Sequence, residues 1–290
     1  MYLLLSILCS SLINLIFRYF PTHSVDNQQA IAVNYWVCVG TGVLTSNVNE
    51  YLTPSIYEHS WAQYCIVLGL FFITVFFGMA VTAQKFGISV SVIAAKMGVV
   101  FPVLYAFIFL KEEPTAMLLI GIVVSLLGVY FVSKKDRNQI KIKSGLWVIL
   151  LPALVLIGSG CIDLSLKIIE LNLNGVPAEV PTILIFFSAA ILGTLVTTIR
   201  VARKWTQLKW KNVFAGIILG VPNYFSIFFI FKALQSNIFQ TSQVYPLNNI
   251  GIVLLSTILS VIIFREHLNR RNLIGISMAV VAIVLISWPF

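Results

Sequence analysis

Lys96 carries a full positive charge inside SVIAAKMGVVFPV, residues 91–103, a run that otherwise reads as the middle of a membrane span. An ammonium near the bilayer centre costs roughly 2.5–3.5 kcal/mol on insertion scales, and ionisable groups at that depth mark functional sites by default. Ser89, Val92 and Val99 share its side of a helix, which gives a thin polar edge. Ala94, Ala95, Gly98 and Pro102 form an adjacent stripe of small or ring-closed residues that admits a second helix closely. Pro102 frees the backbone carbonyl of Gly98 one turn earlier. These features point to a water-filled cavity. There Lys96 would anchor an anionic group of a substrate, or exchange a proton during transport as burial disfavours its charge. The alternative is an ion pair that only holds helices together.

A second charged group lies in CIDLSLKIIE. Asp163 and Lys167 are four residues apart, so one helical face carries both and they can pair locally. Glu170 follows three residues after Lys167, near the end of its span. Asp163 stands about 9 Å beyond the middle of its span at 1.5 Å per residue, which disfavours a direct bond to Lys96. A gating or proton-carrying role for Asp163 and Lys167 is the sharper reading. The amides Gln240, Gln243, Asn248 and Asn249 surround Pro246 in FQTSQVYPLNN, where the proline should interrupt a helix. Asn223 and Tyr224 follow Pro222, and Asn34 and Tyr35 precede Trp36. Any one of these groups can simply glue helices together, for roughly 0.6–2 kcal/mol. Taken together, hydrogen-bonding groups and one cation suit a zwitterion or an organic anion.

Other chemistries are poorly served. The four cysteines Cys9, Cys38, Cys65 and Cys161 all lie in apolar segments, without CxxC or Cys/His ligand spacing, so neither a zinc site nor a disulfide is expected. His23, His59 and His267 fall in connecting segments. No GxxxxGK[ST] loop is present, and scattered acidic residues pair with no histidine in a catalytic pattern. No cofactor is expected. The formal charge of +9 reads as loop charge that orients a membrane protein rather than as a nucleic-acid surface.

The elements that must position these residues are apolar helices. Hydrophobic residues make up 59% of the 290 and charged ones 10%, against roughly 25% charged in soluble domains. Apolar runs long enough for a ~30 Å hydrocarbon core recur near 2–17, 29–46, 61–83, 88–110, 115–132, 145–169, 179–200, 212–233, 238–264 and 272–288. The N-terminal run lacks a basic flank and a small-residue cleavage site, so it is expected to be a first span rather than a removed signal. Trp36, Trp61, Trp147, Trp205 and Trp288 fall near span ends, as interfacial anchors do. Small-residue steps at Gly216/Gly220 and Gly275/Ala279 allow close packing within the chain or across a dimer.

A shift of 154 residues lays Lys111-Glu112 on Arg265-Glu266 and LIGI at 119–122 on LIGI at 273–276. Five spans is an odd offset, so two such copies would have opposite topology. The expected architecture is an all-α membrane protein of ten transmembrane helices in a 5+5 inverted repeat: residues 1–133, a basic connection at 134–144, and residues 145–290. Ten spans, the repeat and the charged Lys/Arg-Glu turn between the fourth and fifth helices of each half resemble the EamA-like branch of the drug/metabolite transporter superfamily. The family turn commonly holds a glycine that Lys111-Glu112-Glu113 and Arg265-Glu266-His267 lack. The resemblance implies export of a small polar metabolite, often an amino acid, by alternating access across a cell membrane, the bacterial inner membrane in particular. Its partners would be the lipid bilayer, the substrate and protons, with the chain a monomer or homodimer. A membrane-embedded transferase and a lipid-flipping or non-transporting subunit are the competing classes. Loop cations favour odd-numbered loops by fifteen to two, which puts both termini outside; the resemblance implies termini inside.

Overall fold

Each apolar run folds as a helix, because a backbone surrounded by hydrocarbon-like side chains must satisfy its own N–H and C=O groups. The computed structural model describes residues 1–20, 23–46, 48, 56, 59–86, 94–133, 146–173, 175–264 and 270–287. Among them ten helices succeed one another: α1 (Tyr2–Tyr19), α2 (Asn27–Thr45), α3 (Ser60–Phe86), α4 (Val100–Ile108), α5 (Ala116–Ser133), α6 (Leu146–Leu171), α7 (Glu179–Ala202), α8 (Trp210–Gln235), α9 (Thr241–Phe264) and α10 (Arg270–Ser287). The described residues contain no strand. Four helices carry spans long and apolar enough to cross a membrane, in α3, α7, α8 and α9; shorter apolar helices accompany them. The basic connection at 134–144, the second charged turn at 265–267, Ser89, Val92 and Trp288 lie outside the described residues.

The helices gather into two compact units. One comprises Met1–Thr74 and Ser165–Gln235, the other Val75–Leu164 and Ser236–Phe290. Each unit therefore draws helices from both halves of the chain, and the boundary falls inside α3 and α6.

In the first unit α8 packs along α1 and α2, and α2 also packs on α7. Small residues set the spacing. A Cβ on Gly220 would lie 2.5 Å from Val37 Cβ, and one on Gly216 would lie 2.6 Å from the Ala30 carbonyl oxygen. The Gly216/Gly220 step thus serves contact inside the chain. Asp26 starts α2 as its N-cap, accepting from the N–H groups of Gln28 and Gln29 at 3.0 and 3.3 Å. Phe20, Ala30 and Leu219 form a core where α1, α2 and α8 meet. Trp61 is buried here rather than interfacial, and its ring lies on His59.

In the second unit α5 and α10 pair along their length, and α9 packs on α4, α5 and α10. The two LIGI segments thus lie on packed helices. Gly128 faces the Gly275 carbonyl oxygen and the Ala279 N–H, so the Gly275/Ala279 step is also spent within the chain. Ile250, Val253 and Ala279 form the local core.

Candidate functional site

Lys96 lies in helical residues 94–97, where the described residues resume, and a turn at Gly98 and Val99 separates them from α4. The break is made of tight bonds: Val99 N–H reaches the Lys96 carbonyl at 3.4 Å, and Phe101 N–H reaches that of Gly98 at 3.0 Å. The interruption expected from Pro102 is therefore present, one turn before the proline. Gly98 has a second duty there. A Cβ on it would lie 2.6 Å from the Gly160 nitrogen of α6, and a Cβ on Gly160 would lie 2.8 Å from the Gly98 carbonyl oxygen. Two glycines let the Lys96 segment touch the backbone of α6.

That approach brings the charges of one unit together. Lys96 Nζ donates to Asn249 Oδ1 at 3.2 Å, and Asn249 Nδ2 donates to the Lys96 carbonyl at 3.4 Å. Asn249 thus holds both ends of the residue. Asp163, on α6, lies close enough for its carboxylate to act on the Lys96 ammonium. Among the described residues no ion pair joins Lys96 and Asp163, as their different depths led us to expect, and the two act on each other through space. Tyr245 shares a face of α9 with Asn249, four residues on, and its hydroxyl donates to the Asp163 carbonyl at 2.8 Å.

Lys167 does not pair with Asp163. Its ammonium meets Glu170 Oε2 at 2.7 Å, three residues on, and the pair is largely buried. The local Asp163–Lys167 pairing expected from spacing is thereby replaced.

Helix α9 supplies the remaining predicted amides. Gln243 Nε2 donates to the Ile286 carbonyl at 2.7 Å, and its Oε1 accepts from the Gln240 N–H at 3.0 Å. Gln240 Oε1 and Asn248 Oδ1 are buried without a hydrogen-bond partner, as is Ser242 Oγ. Pro246 sits inside α9, which continues through it; the expected break does not occur. A proline costs a helix one hydrogen bond and one clash near its start, and here the first turn is anchored from outside. Glu112 supplies that anchor. Its two carboxylate oxygens accept from the N–H groups of Thr241 and Ser242, each at 2.9 Å. Lys111, at φ 55°, turns the chain so that Glu112 can reach. The charged turn was legible in the sequence, but no signal there said that it caps another helix.

The other predicted polar residues belong to the first unit. Asn34 Oδ1 accepts from Asn223 Nδ2 at 3.2 Å, and the Cys38 thiol lies 3.2 Å from the Gly220 carbonyl. Tyr35 stacks on Phe186, and Tyr224 stacks on Phe228. All four of Asn34, Tyr35, Asn223 and Tyr224 are buried along the α2–α8 packing line. Sequence reasoning passed over Glu179 and Lys232, which pair at 3.6 Å in this unit, with Lys232 Nζ 5.5 Å from the Phe228 ring centre. It also passed over Asp26, although Asp before an apolar run is an N-cap signal. No group of metal-ligating side chains occurs among the described residues.

No family profile matches the chain. An uncharacterized protein of Haemophilus influenzae is 28% identical over 288 residues, covering 97% of this chain and 95% of that protein. A solved crystal structure of a protein at 14% identity superposes with a TM-score of 0.73, covering 99% of this chain and 95% of the other. The chain therefore shares its fold, over essentially its whole length, with a solved structure.

Proposed function

We propose that this chain is a multi-pass membrane protein of the cell membrane and a secondary transporter for a small polar metabolite, an amino acid or organic anion. The observation that carries the reading is Lys96: a cation in an apolar chain, on a broken helix, held by one neutral amide and faced by one aspartate. A purely structural charge would be expected in a closed ion pair. Lys96 instead donates to an amide oxygen, which leaves donors of its ammonium for a carboxylate or phosphate from outside. The unpartnered Oδ1 of Asn248 and Oγ of Ser242, in the same helix α9, add buried polar capacity nearby in sequence.

The membrane part rests on the outward surface. Large apolar side chains such as Leu4, Phe214, Ile218 and Ile262 are 62–70% exposed, and extended exposed apolar area is rare on soluble monomers. The resemblance to EamA-like transporters fits a 5+5 inverted repeat. Each compact unit drawing helices from both halves, with the two LIGI helices packed together, is the packing such a repeat would give. Alternating access is the mechanism such a repeat serves.

The test is counterflow in proteoliposomes loaded with candidate amino acids and organic anions, after a ligand screen by thermal stabilisation. Wild type should accumulate a labelled solute, and Lys96→Met should lose at least 100-fold of the rate at unchanged protein yield. Wild-type rates in Lys96→Met would refute the role of Lys96, and movement of a lipid in place of every solute would refute the exporter reading.

A further inference from the structure

We infer that the connection between α7 and α8, residues 203–209, with Trp210 beside it, is a binding surface for the headgroup of an anionic phospholipid. The inference rests on the membrane reading above and is independent of transport.

The connection has two sides with different chemistry. Its inner side is pinned to the start of α2. Thr206 Oγ1 donates to Asp26 Oδ2 at 3.0 Å, and Gln29 Nε2 donates to Thr206 Oγ1 at 2.8 Å and to the Gln207 carbonyl at 2.9 Å. Asn212, just inside α8, accepts from the Asp26 N–H at 3.0 Å and donates to Gln29 Oε1 at 2.6 Å. These bonds hold the backbone in place, so the residues on the other side are presented rather than free to fold inward.

The outer side combines apolar rings with cations. Trp205, Leu208 and Trp210 are 64%, 69% and 79% exposed. Arg203, Lys204 and Lys209 are exposed beside them, and the Arg203 guanidinium lies 5.1 Å from the Trp205 ring centre. From Arg200 to Lys211 the chain has five cations and no acidic residue. Arg200 is matched by Asp26 at 3.6 Å. Among the described residues no carboxylate pairs with Arg203, Lys204 or Lys209. Three uncompensated cations therefore stand around two exposed indoles.

The helix above completes the shape. Ile191, Leu195 and Ile199 recur every four residues on α7, each 43–55% exposed, and the next step along that face is Arg203. An acyl chain fits such an apolar lane, with its phosphate at the end where the guanidinium and ammonium groups stand. Indole rings settle at headgroup level, and juxtamembrane cations favour anionic over zwitterionic lipid. A soluble acidic partner would give exposed Trp205, Leu208 and Trp210 no hydrocarbon to enter. A second copy of this chain would bring the same charges against themselves.

The full-length protein should be placed in phosphatidylcholine nanodiscs containing equal fractions of brominated phosphatidylglycerol or brominated phosphatidylcholine, and its tryptophan fluorescence read. Wild type should be quenched at least twofold more by the brominated phosphatidylglycerol. The excess should vanish in Trp205→Phe/Trp210→Phe, which removes the reporters. It should also vanish in Arg203→Gln/Lys204→Gln/Lys209→Gln, which keeps the reporters and the inner hydrogen bonds. Equal quenching of wild type by both lipids would overturn the inference while leaving the membrane reading intact. Quenching by neither lipid would overturn the membrane reading itself. If inorganic phosphate abolished the excess in wild type at constant ionic strength, the surface would be a free-anion site and not a lipid site. If cross-linking through Lys209 gave a homodimer in phosphatidylcholine discs, the surface would belong to a second copy.

Discussion

Lys96, Asn249 and Asp163 come from three separate stretches of the chain and meet within one unit. Their coupling is measurable without knowing a substrate. In a double-mutant cycle, Lys96→Met alone leaves Asp163 without its cation, and Asp163→Asn alone leaves Lys96 without its counter-charge. Residues within one polar network show interaction terms of about 0.5–3 kcal/mol in such cycles. The expected outcome is that the double variant is less destabilised than the two single ones summed, read as thermal midpoints in detergent. Additivity within about 0.3 kcal/mol would separate the two residues energetically. The cation was legible in the sequence because a lysine in an apolar run is conspicuous. Its hydrogen-bond partner Asn249 was not, because an apolar run does not name the helix it packs against. Spacing likewise favoured Asp163–Lys167, where the three-residue step from Lys167 to Glu170 prevailed.

Helix α9 carries Asn249, Tyr245 and Gln243, so what fixes α9 also fixes the Lys96 surroundings. Glu112 does so from the α4–α5 turn, by closing two N–H groups that a helix start leaves open. Glu112→Ala should destabilise by about 1.5–3 kcal/mol, the range for hydrogen bonds to a charged group, whereas Glu112→Gln should lose roughly half of that. The measurement is thermal unfolding, with hydrogen exchange at residues 241–245 as the local readout. Faster exchange elsewhere but not at 241–245 would remove Glu112 from this role. The glycines make a second prediction about helices. Gly220→Ala drives a Cβ into Val37 at the α2–α8 contact, and overpacking costs typically 1–3 kcal/mol. Gly40→Ala meets nothing within 4 Å in the same α2 helix. It should be neutral or gain up to about 1 kcal/mol from helix propensity. Reversal of that order in folded yield would count against the packing described. The helices were readable as apolar runs, with ends a few residues off. The continuity of α9 through Pro246 was not, since the anchor that tolerates it lies 129 residues away in sequence.

At the scale of the molecule, the basic residues make a topological prediction. On the membrane reading, odd loops lie in the cytoplasm by their cation excess. A cysteine placed at Lys209 should resist an impermeant maleimide in intact cells and react after permeabilisation. One placed at Asn237, in the turn before α9, should react in intact cells. The opposite pattern would turn the chain over, with both termini inside.

What the amino-acid sequence determined by itself is one-dimensional. Apolar runs must become helices because their backbone groups have no other partner. Lys96 stood out because of the cost of its charge, and a charged Lys/Arg-Glu pair recurs after 154 residues. Which helices lie together was decided only in three dimensions. Leucine, isoleucine and valine pack as well on a lipid tail as on another helix, so hydrophobicity names no partner. The choice falls to shape and to a few polar contacts: Gly216 and Gly220 under Ala30 and Val37, Gly98 against Gly160, Glu112 on α9, Asn249 on Lys96. Each joins residues more than 60 positions apart, and that is why the two compact units interleave the halves of the chain.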